Sequence, residues 1–456
     1  MLLFSYFKLR NTICIFIENI IGNIMESISA KPLQLNPIKL SQPMGAMLCF
    51  LGIKNCMPLM HGAQGCASFT KVFFTRHFND PIAVQTTAVN DITAVIDGGD
   101  YAISESIKNI TKKVQPDLVG LFTTGLTETK GDDIKGACLL VQDQQKMVYV
   151  NTPDFEGSIE SGFAKSIEAI VDQLVASSSE VDMNKAVIIP NVNLKPIEIE
   201  KIKDTVALFG YEVLALPDLS DSLDGHLGLK QGALSSGGIT VEDIEKLGNC
   251  SLAISVGSSV KKAGDKLKAK NENMQLLHFD SLGGLEQSDK FFKALCKIKN
   301  ISTPHPSIVR WRKRLQDAML DSHFAIGSAS VVLALEPDQC ISVANTIIEA
   351  GATIKAIVTT HKNDLLDEIE CENLLIGDFE DVEKYLKESD VLISSFHGER
   401  YTIKHKKALM LRGFPDYEGV GNQLKNDVLY EGSAYLLFEL ANLINHYHQH
   451  GGENEH

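Results

Sequence analysis

The chain has 456 residues, a formal net charge of −15 and 44% hydrophobic residues. This length predicts more than one domain, and the apolar content is sufficient for complete hydrophobic cores. The acidic balance excludes nucleic-acid binding that depends on a basic patch. The nine cysteines form an odd, scattered set without a CxxC pair. That pattern is not a disulfide framework, and it favours the reducing environment of the cytoplasm.

Residues 1–30 are predicted to be an N-terminal extension without a packed role. Glu18 and Asn19 interrupt its apolar stretch, which is too short for the apolar region of a signal peptide. It also lacks an uninterrupted run of about 20 apolar residues, so a transmembrane helix is not predicted. We expect translation to begin naturally at Met25.

Short β-rich runs alternate with helical patterns along most of the chain, which is typical of parallel sheets wound with helices. The predicted strands cover residues 118–124, 147–150, 185–190, 211–216, 251–256, 274–279, 330–335, 353–358, 374–376 and 391–393. The helical patterns include residues 103–114, 158–175 and a C-terminal helix over 433–447. We therefore predict an α/β protein with three Rossmann-like domains, at residues 31–182, 183–305 and 306–456, the last including the C-terminal helix.

Cys66 is the candidate metal ligand of the chain. It closes a glycine-flanked turn and begins a segment with helical spacing that runs to Phe74. Backbone N–H groups and the helix dipole favour a thiolate at a helix start. Gly62 and Gly65 allow the backbone to approach a bulky ligand closely. This setting suits an iron–sulfur cluster, although an isolated cysteine beside a turn is more often a buried, inert thiol.

The motifs around Cys66 resemble those of the nitrogenase molybdenum–iron protein superfamily. They occur in the same order along the chain, at residues 41–46 (SQPMGA), 61–66 (HGAQGC), 76–78 (RHF), 85–88 (QTTA), 123–129 (TTGLTET), 151–155 (NTPDF), 217–220 (PDLS), 223–227 (LDGHL) and 315–321 (LQDAMLD). The resemblance runs from about Lys31 to about Gly451. It implies the fold of nitrogenase component 1, with three Rossmann-like domains.

Within this superfamily the resemblance implies a cofactor-assembly scaffold subunit rather than a nitrogenase β subunit. The nitrogenase β subunit holds its large cluster with three cysteines, and the corresponding positions here are Ser41, Cys66 and Gly125. One thiolate of three remains. The resemblance therefore implies that Cys66 is one ligand of a [4Fe–4S] cluster completed by an E-type (NifE) partner subunit. No catalytic residue and no other cofactor-binding residue is predicted in this chain.

The resemblance also implies a set of partners. The expected assembly is an α₂β₂ heterotetramer that receives an iron–sulfur precursor from the NifB enzyme. The iron protein (NifH) delivers molybdenum and homocitrate, and the finished iron–molybdenum cofactor passes to apo-nitrogenase. The precursor is expected to be bound mainly by the E-type subunit. The alternatives are a nitrogenase β-type or protochlorophyllide-reductase-type subunit and, in a different class, a Rossmann-type enzyme without a cluster. The resemblance favours a scaffold subunit over a stand-alone enzyme.

Overall fold

A computed structural model of the chain describes residues 39–74, 82–89, 99–223, 233–413 and 419–450, without the side chains of Asp100 and His450. Three parallel sheets flanked by helices make up this part of the chain. The predicted α/β class with three parallel sheets is therefore confirmed. The extension at residues 1–30 and the motif at 76–78 lie outside the described residues. Within the described ranges, every helix is too short or too polar to cross a membrane.

The first sheet has the order β2-β1-β3-β4, with β1 (Cys56–His61), β2 (Gln85–Thr86), β3 (Leu118–Thr123) and β4 (Met147–Val150). Every residue of β3 is buried, as expected for a strand with both faces covered. The sequence analysis missed β1 because a proline inside a run argues against a central strand. Pro58 is tolerated here because β2 pairs only with Leu59 and Met60.

The second sheet has the order β6-β5-β7-β8. Its strands are β5 (Asp182–Pro190), β6 (Glu212–Ala215), β7 (Cys250–Val256) and β8 (Gln275–Phe279). All four were predicted to within a few residues. The apolar run of β7 is buried along its whole length, which is the pattern of a strand with both faces covered.

The third sheet has the order β11-β10-β9-β12-β13. Its strands are β9 (Ser330–Ala334), β10 (Thr353–Thr359), β11 (Leu374–Ile376), β12 (Val391–Ser394) and β13 (Ala408–Leu411). Four of them were predicted, and β13 was not. Its four residues lack the β-branched character that marks the other strands of this sheet.

In the described part of the chain, helices of eight residues or more precede, follow or connect many of these strands. In chain order they are α1 (Gln42–Leu51), α2 (Gln64–Phe74), α3 (Gly99–Lys113), α4 (Ile134–Val141), α5 (Ile159–Leu174), α6 (Pro196–Ala207), α7 (Lys261–Ala269), α8 (Gly284–Lys299), α9 (Pro306–Ile326), α10 (Pro337–Glu349), α11 (Phe379–Leu386) and α12 (Leu429–His450). Shorter helices are Gly125–Lys130, Leu219–Ser222, Val241–Glu245, Leu247–Asn249, Ser258–Val260, Asp364–Glu368, Phe396–Gly398, Glu399–His405 and Asn422–Leu424. The predicted C-terminal helix is confirmed as α12, which packs on α9 and α8. The domain boundaries themselves stay a prediction.

Helices α1 and α5 pack so closely that glycine is required at their contact. A Cβ atom on Gly45 would lie 2.1 Å from the carbonyl oxygen of Ile159. A Cβ atom on Gly162 would lie 2.0 Å from the carbonyl oxygen of Gln42. Since both obstructing atoms belong to the backbone, neither glycine can gain a side chain unless the helices move apart. This contact fixes Ser41, at the start of α1, relative to the loop that precedes α5.

Gly45→Ala is therefore expected to destabilise the chain by about 1–3 kcal/mol, the usual cost of overpacking. Urea unfolding of the full chain measures the change in the free energy of unfolding. Gly65→Ala is the matched control, because Gly65 is also helical and no atom of the described residues lies within 4 Å of the position of its Cβ. The control should be neutral or slightly stabilising, since alanine favours a helix over glycine. An equal effect of the two substitutions would contradict the proposed contact.

Candidate functional site

The candidate site lies at the carboxyl edge of the first sheet, where the loops after β1, β3 and β4 meet. The hydroxyls of Thr124 and Thr127 donate to the carbonyl oxygen of His61, at 3.1 and 2.9 Å. The hydroxyl of Thr152 donates to the carbonyl oxygen of Thr123, at 2.7 Å. These hydrogen bonds join the three loops into one edge, which is where parallel sheets of this class bind ligands.

The His61 side chain holds the first loop in place and is not exposed for chemistry. It is fully buried. Its Nε2 lies 2.9 Å from Asp132 Oδ2, and its Nδ1 lies 2.9 Å from the hydroxyl of Thr87. That hydroxyl also accepts a hydrogen bond from the backbone N–H of Gly62. The turn before Cys66 is thus fixed by a buried polar network.

Cys66 is the third residue of α2, one turn beyond this network. Its backbone N–H donates to the carbonyl oxygen of Ala63, at 3.2 Å, and its side chain is exposed. Among the described residues, no atom lies within 4 Å of the position that a Cβ atom on Gly65 would occupy. A Cβ atom on Gly62 would lie 2.7 Å from the side chain of Thr124. Gly62 therefore allows two loops to approach each other, and the expected approach of a ligand to its backbone stays a prediction.

The electrostatics of Cys66 differ from the prediction. Burial raises the pKa of the Cys66 thiol, the Asp154 carboxylate raises it further, and the backbone N–H groups lower it without reversing the change. In the chain without a metal, the backbone N–H groups thus act in the expected direction, but burial and Asp154 outweigh them. A metal bound at the sulfur supplies the missing positive charge and takes the thiol in its deprotonated form.

The loop that contains Asp154 lies beside Cys66 and beside the two positions that lack a thiol. The backbone N–H of Gly125 donates to Asp154 Oδ2, at 3.0 Å. Ser41 precedes Gln42, whose side-chain amide donates to the carbonyl oxygen of Glu156, at 2.9 Å. Positions 41, 66 and 125 therefore border one loop, residues 151–157. The sequence analysis did not single out Asp154, although its place after a predicted buried strand was the available signal.

The remaining cysteines near this edge do not contribute to the site. Cys49, Cys56 and Cys138 are buried in hydrophobic cores. In the parts of the chain that the structure describes, Cys66 belongs to no group of three metal-ligating side chains. One exposed sulfur with open space beside it fits a cluster as a single ligand. The other ligands of a four-thiolate cluster would have to come from outside this site.

Large apolar side chains are exposed around Cys66. Phe69 and Val72 project from α2 and are 65% and 58% exposed, and Phe155 in the 151–157 loop is 62% exposed. Leu126, next to Gly125, is 44% exposed. Exposed apolar groups that cluster on one face indicate a protein–protein interface. The candidate ligand is thus surrounded by a surface suited to a partner chain.

The three parallel sheets and the cysteine at the edge of the first sheet define a protein of the nitrogenase component 1 class. The solved structure of nitrogenase Cp1 at pH 6.5 superposes with a TM-score of 0.86 and 30% identity, covering 93% of this chain and 96% of that chain. A second structure, of nitrogenase Cp1 at pH 5, shares the fold with a TM-score of 0.67 at 13% identity. Residues 41–445 match the family model of nitrogenase component 1 type oxidoreductases, and the chain belongs to this family.

The names of its curated relatives describe a narrower group within this family. The nitrogenase iron-molybdenum cofactor biosynthesis protein NifN of Rippkaea orientalis is 37% identical over 92% of this chain and 96% of that protein. The NifN proteins of Nostoc sp. and Klebsiella pneumoniae are 36% and 34% identical, over 91% and 92% of this chain and 94% and 93% of those proteins. The superfamily resemblance predicted from the motifs is confirmed.

Proposed function

We propose that this chain is a subunit of the scaffold on which a precursor of the iron–molybdenum cofactor is matured. In this proposal Cys66 supplies one thiolate to a [4Fe–4S] cluster shared with an E-type (NifE) subunit. The observation that carries the proposal is an exposed Cys66 at an apolar surface, with Ser41 and Gly125 as its neighbours around the 151–157 loop. The names of the NifN relatives support the assignment to cofactor biosynthesis.

The chain's own residues would hold the shared cluster at one corner. When bound, the cluster supplies a one-electron centre. Cys66 must lose its proton to bind iron, so binding would be coupled to proton release. Asp154 is already fixed by the backbone N–H of Gly125. Its negative charge would oppose a thiolate without iron and would be compensated once iron is present.

The same proposal includes the partners expected from the family. The chain would pair with the E-type subunit in an α₂β₂ assembly, with Phe69, Val72 and Phe155 buried at the interface beside Cys66. The precursor would come from NifB and be bound mainly by the E-type subunit. The iron protein (NifH) would supply molybdenum and homocitrate, and apo-nitrogenase would receive the product. This exchange would take place in the cytoplasm.

The nitrogenase β-type subunit is the second candidate, because a nitrogenase component is the structural neighbour at 30% identity. The side chains at positions 41 and 125 weigh against it. Ser41 and Gly125 cannot supply the thiolates of a larger cluster, and the described cysteines nearby are buried in cores. The protochlorophyllide-reductase-type alternative has no observation in its favour.

Co-expression with an E-type subunit tests the proposal. The complex, purified without oxygen, is expected to be brown and to contain a [4Fe–4S] cluster detectable by EPR and iron analysis. The chain purified alone should lack that cluster, because one thiolate does not hold it. A chain that binds a complete cluster without a partner would contradict the shared site, and so would an iron-free complex.

A further inference from the structure

A second cluster of ligating side chains lies at the junction of the first and third sheets, away from Cys66. It consists of Glu160, Glu336 and His361, whose ligand atoms all lie within 4.8 Å of one another. Glu160 is in the first turn of α5, Glu336 precedes α10, and His361 follows β10. Glu336 and His361 thus follow the carboxyl ends of β9 and β10, the position at which sheets of this kind bind ligands.

The carboxylate of Glu160 is deeply buried and only half satisfied. Its side chain is 1% exposed. Oε1 accepts hydrogen bonds from Asn193 Nδ2, at 2.7 Å, and from the backbone N–H of Asp338, at 2.9 Å. Among the residues that the structure describes, Oε2 has no hydrogen-bond donor. A buried carboxylate oxygen without a partner is costly, so this atom requires a cation or a proton.

The carboxylate of Glu336 is also only half satisfied. Its Oε2 accepts a hydrogen bond from the hydroxyl of Thr360, at 2.9 Å, while its buried Oε1 lacks a hydrogen-bond partner in the described part of the chain. Burial raises the pKa of Glu336, and the nearby hydroxyls of Ser158 and Thr360 oppose that rise. Both carboxylates of the cluster therefore have one buried oxygen without a hydrogen-bond partner among the described residues. The other oxygen of Glu336, Oε2, lies 3.7 Å from His361 Nδ1.

The hydrogen bonds of Thr360 determine which nitrogen of His361 is free. The hydroxyl donates its only proton to Glu336 Oε2, so it must accept from His361 Nδ1, which lies 3.0 Å away. With its proton on Nδ1, the neutral ring has a lone pair on Nε2. That atom lies 3.6 Å from Glu160 Oε2. A lone pair on His361 Nε2 thus faces a lone pair on Glu160 Oε2. A histidine that binds a metal through one ring nitrogen usually donates a hydrogen bond from the other, as Nδ1 does here.

The charges around the cluster are mixed. Asp338 adds a carboxylate nearby, but the backbone N–H groups of Ser258 and Ser259 donate to it, at 2.9 and 3.2 Å, and their hydroxyls do so as well. Lys39 is the cation that affects the described cluster. Its positive charge lowers the pKa of Glu336 and the pKa of His361. Without a metal, Glu160 can be protonated instead, since burial and then the neighbouring carboxylates raise its pKa well above the ordinary value.

We propose that Glu160, Glu336 and His361 bind one divalent first-row transition metal ion, of the class of Mn²⁺, Fe²⁺ or Zn²⁺. Two carboxylate oxygens and one imidazole nitrogen match the preferences of these ions, whereas Mg²⁺ and Ca²⁺ prefer oxygen ligands alone. The separation of 3.6 Å between Glu160 Oε2 and His361 Nε2 is close to the about 3.4 Å between ligands of a tetrahedral ion with 2.1 Å bonds. The ion would join α5 to the loops after β9 and β10.

Mn²⁺ is the probe for this site, because it is detected by EPR and does not form the iron–sulfur cluster. The full chain, purified without its partner and treated with chelator, is expected to bind one Mn²⁺ that zinc displaces. His361→Asn and Glu336→Gln should each weaken binding about tenfold or more, since each removes a ligand. Pulsed EPR of the bound ion should show coupling to a ¹⁴N nucleus that His361→Asn removes.

His405→Asn is the matched control. His405 Nε2 lies 2.6 Å from Glu383 Oε1, so this pair resembles one side of the cluster but is an ordinary ion pair. The control should keep both the affinity and the ¹⁴N coupling. Circular dichroism and the melting temperature without metal show whether each variant is folded. A folded full chain that binds no Mn²⁺ or Zn²⁺ at millimolar concentration would overturn the proposal. Unchanged affinity and ¹⁴N coupling in His361→Asn would overturn it as well.

Thr360→Val tests the orientation of His361 separately from its role as a ligand. It removes the hydroxyl that holds Nδ1 and keeps the shape of the side chain. Metal affinity is expected to fall about tenfold, while the ¹⁴N coupling persists because the imidazole still binds. Loss of the coupling in this variant would contradict a role for Thr360 in orientation alone, since it would show that the imidazole does not bind the ion without this hydroxyl. These tests do not involve Cys66, so their failure would leave the proposed function untouched.

Discussion

Replacing Cys66 by Ala is expected to remove the shared cluster from the complex with the E-type subunit, or to make it labile. The substitution deletes one of four thiolates, and an iron atom with an open position exchanges ligands and oxidises readily. Around Cys66, the described part of the chain offers no second exposed thiol to take its place. Iron analysis and EPR of the anaerobic complex should show the loss of about one cluster, or four iron atoms, per heterodimer.

Cys56→Ala is the control for this prediction. Cys56 lies ten residues earlier on β1 and is completely buried, and burial raises the pKa of its thiol far above the ordinary value. The substitution should change only local packing, with a cost of about 1 kcal/mol, and should leave the iron content and the EPR spectrum unchanged. If Cys66→Ala kept its full iron content while another single cysteine abolished it, the assignment of Cys66 would be wrong.

Most strands could be predicted because both faces of these sheets are covered. Their residues form short apolar runs between turns, and β4 and β11 were predicted with the observed ends. The run that forms β1 was missed because Pro58 has the character of a strand breaker, and only its pairing with a two-residue β2 shows why it is tolerated. Helix α1 was not predicted, since it is buried on all sides and has no polar face.

The two candidate metal sites differ in how far sequence can reveal them. Cys66 stands inside a continuous motif, so its position could be predicted although its raised thiol pKa could not. Glu160, Glu336 and His361 are separated by 176 and 25 positions in the sequence. No local pattern links them, because their proximity depends on how the carboxyl ends of different sheets are arranged. Their unpaired oxygens become visible only when burial and hydrogen bonds are known together.

Arg412→Ala is expected to lower the free energy of unfolding by about 3–5 kcal/mol, the usual cost of removing one partner of a buried ion pair. Arg412 follows β13 and is 3% exposed. Its Nε and Nη2 donate to the two carboxylate oxygens of Asp427, at 2.7 and 3.0 Å, and Nη2 also donates to Glu439, at 2.6 Å. Lys195 Nζ, from the loop before α6, reaches Asp427 at 2.8 Å. The arginine thus connects the third sheet, α12 and the second sheet's helix α6.

The pH dependence of stability should change in the same variant. Burial opposes ionisation of Asp427, but Arg412 and Lys195 hold its pKa well below the usual range. A carboxylate with a lowered pKa stabilises the folded chain above its unfolded-state pKa, and this contribution is lost as the pH falls through the two values. Without Arg412 the folded-state pKa rises, so acid unfolding should begin at a higher pH than in the unmodified chain.

Arg312→Ala provides the matched control for Arg412→Ala. Arg312 also makes a two-point contact with a carboxylate, since its Nε and Nη2 lie 2.8 and 2.9 Å from the oxygens of Asp289. Its side chain, however, is 40% exposed, so water can replace the lost partner and the expected loss is about 1 kcal/mol or less. Urea unfolding of both variants at neutral pH compares the same geometry at two depths of burial. Equal losses would contradict the argument that burial makes the Arg412–Asp427 contact the stronger constraint.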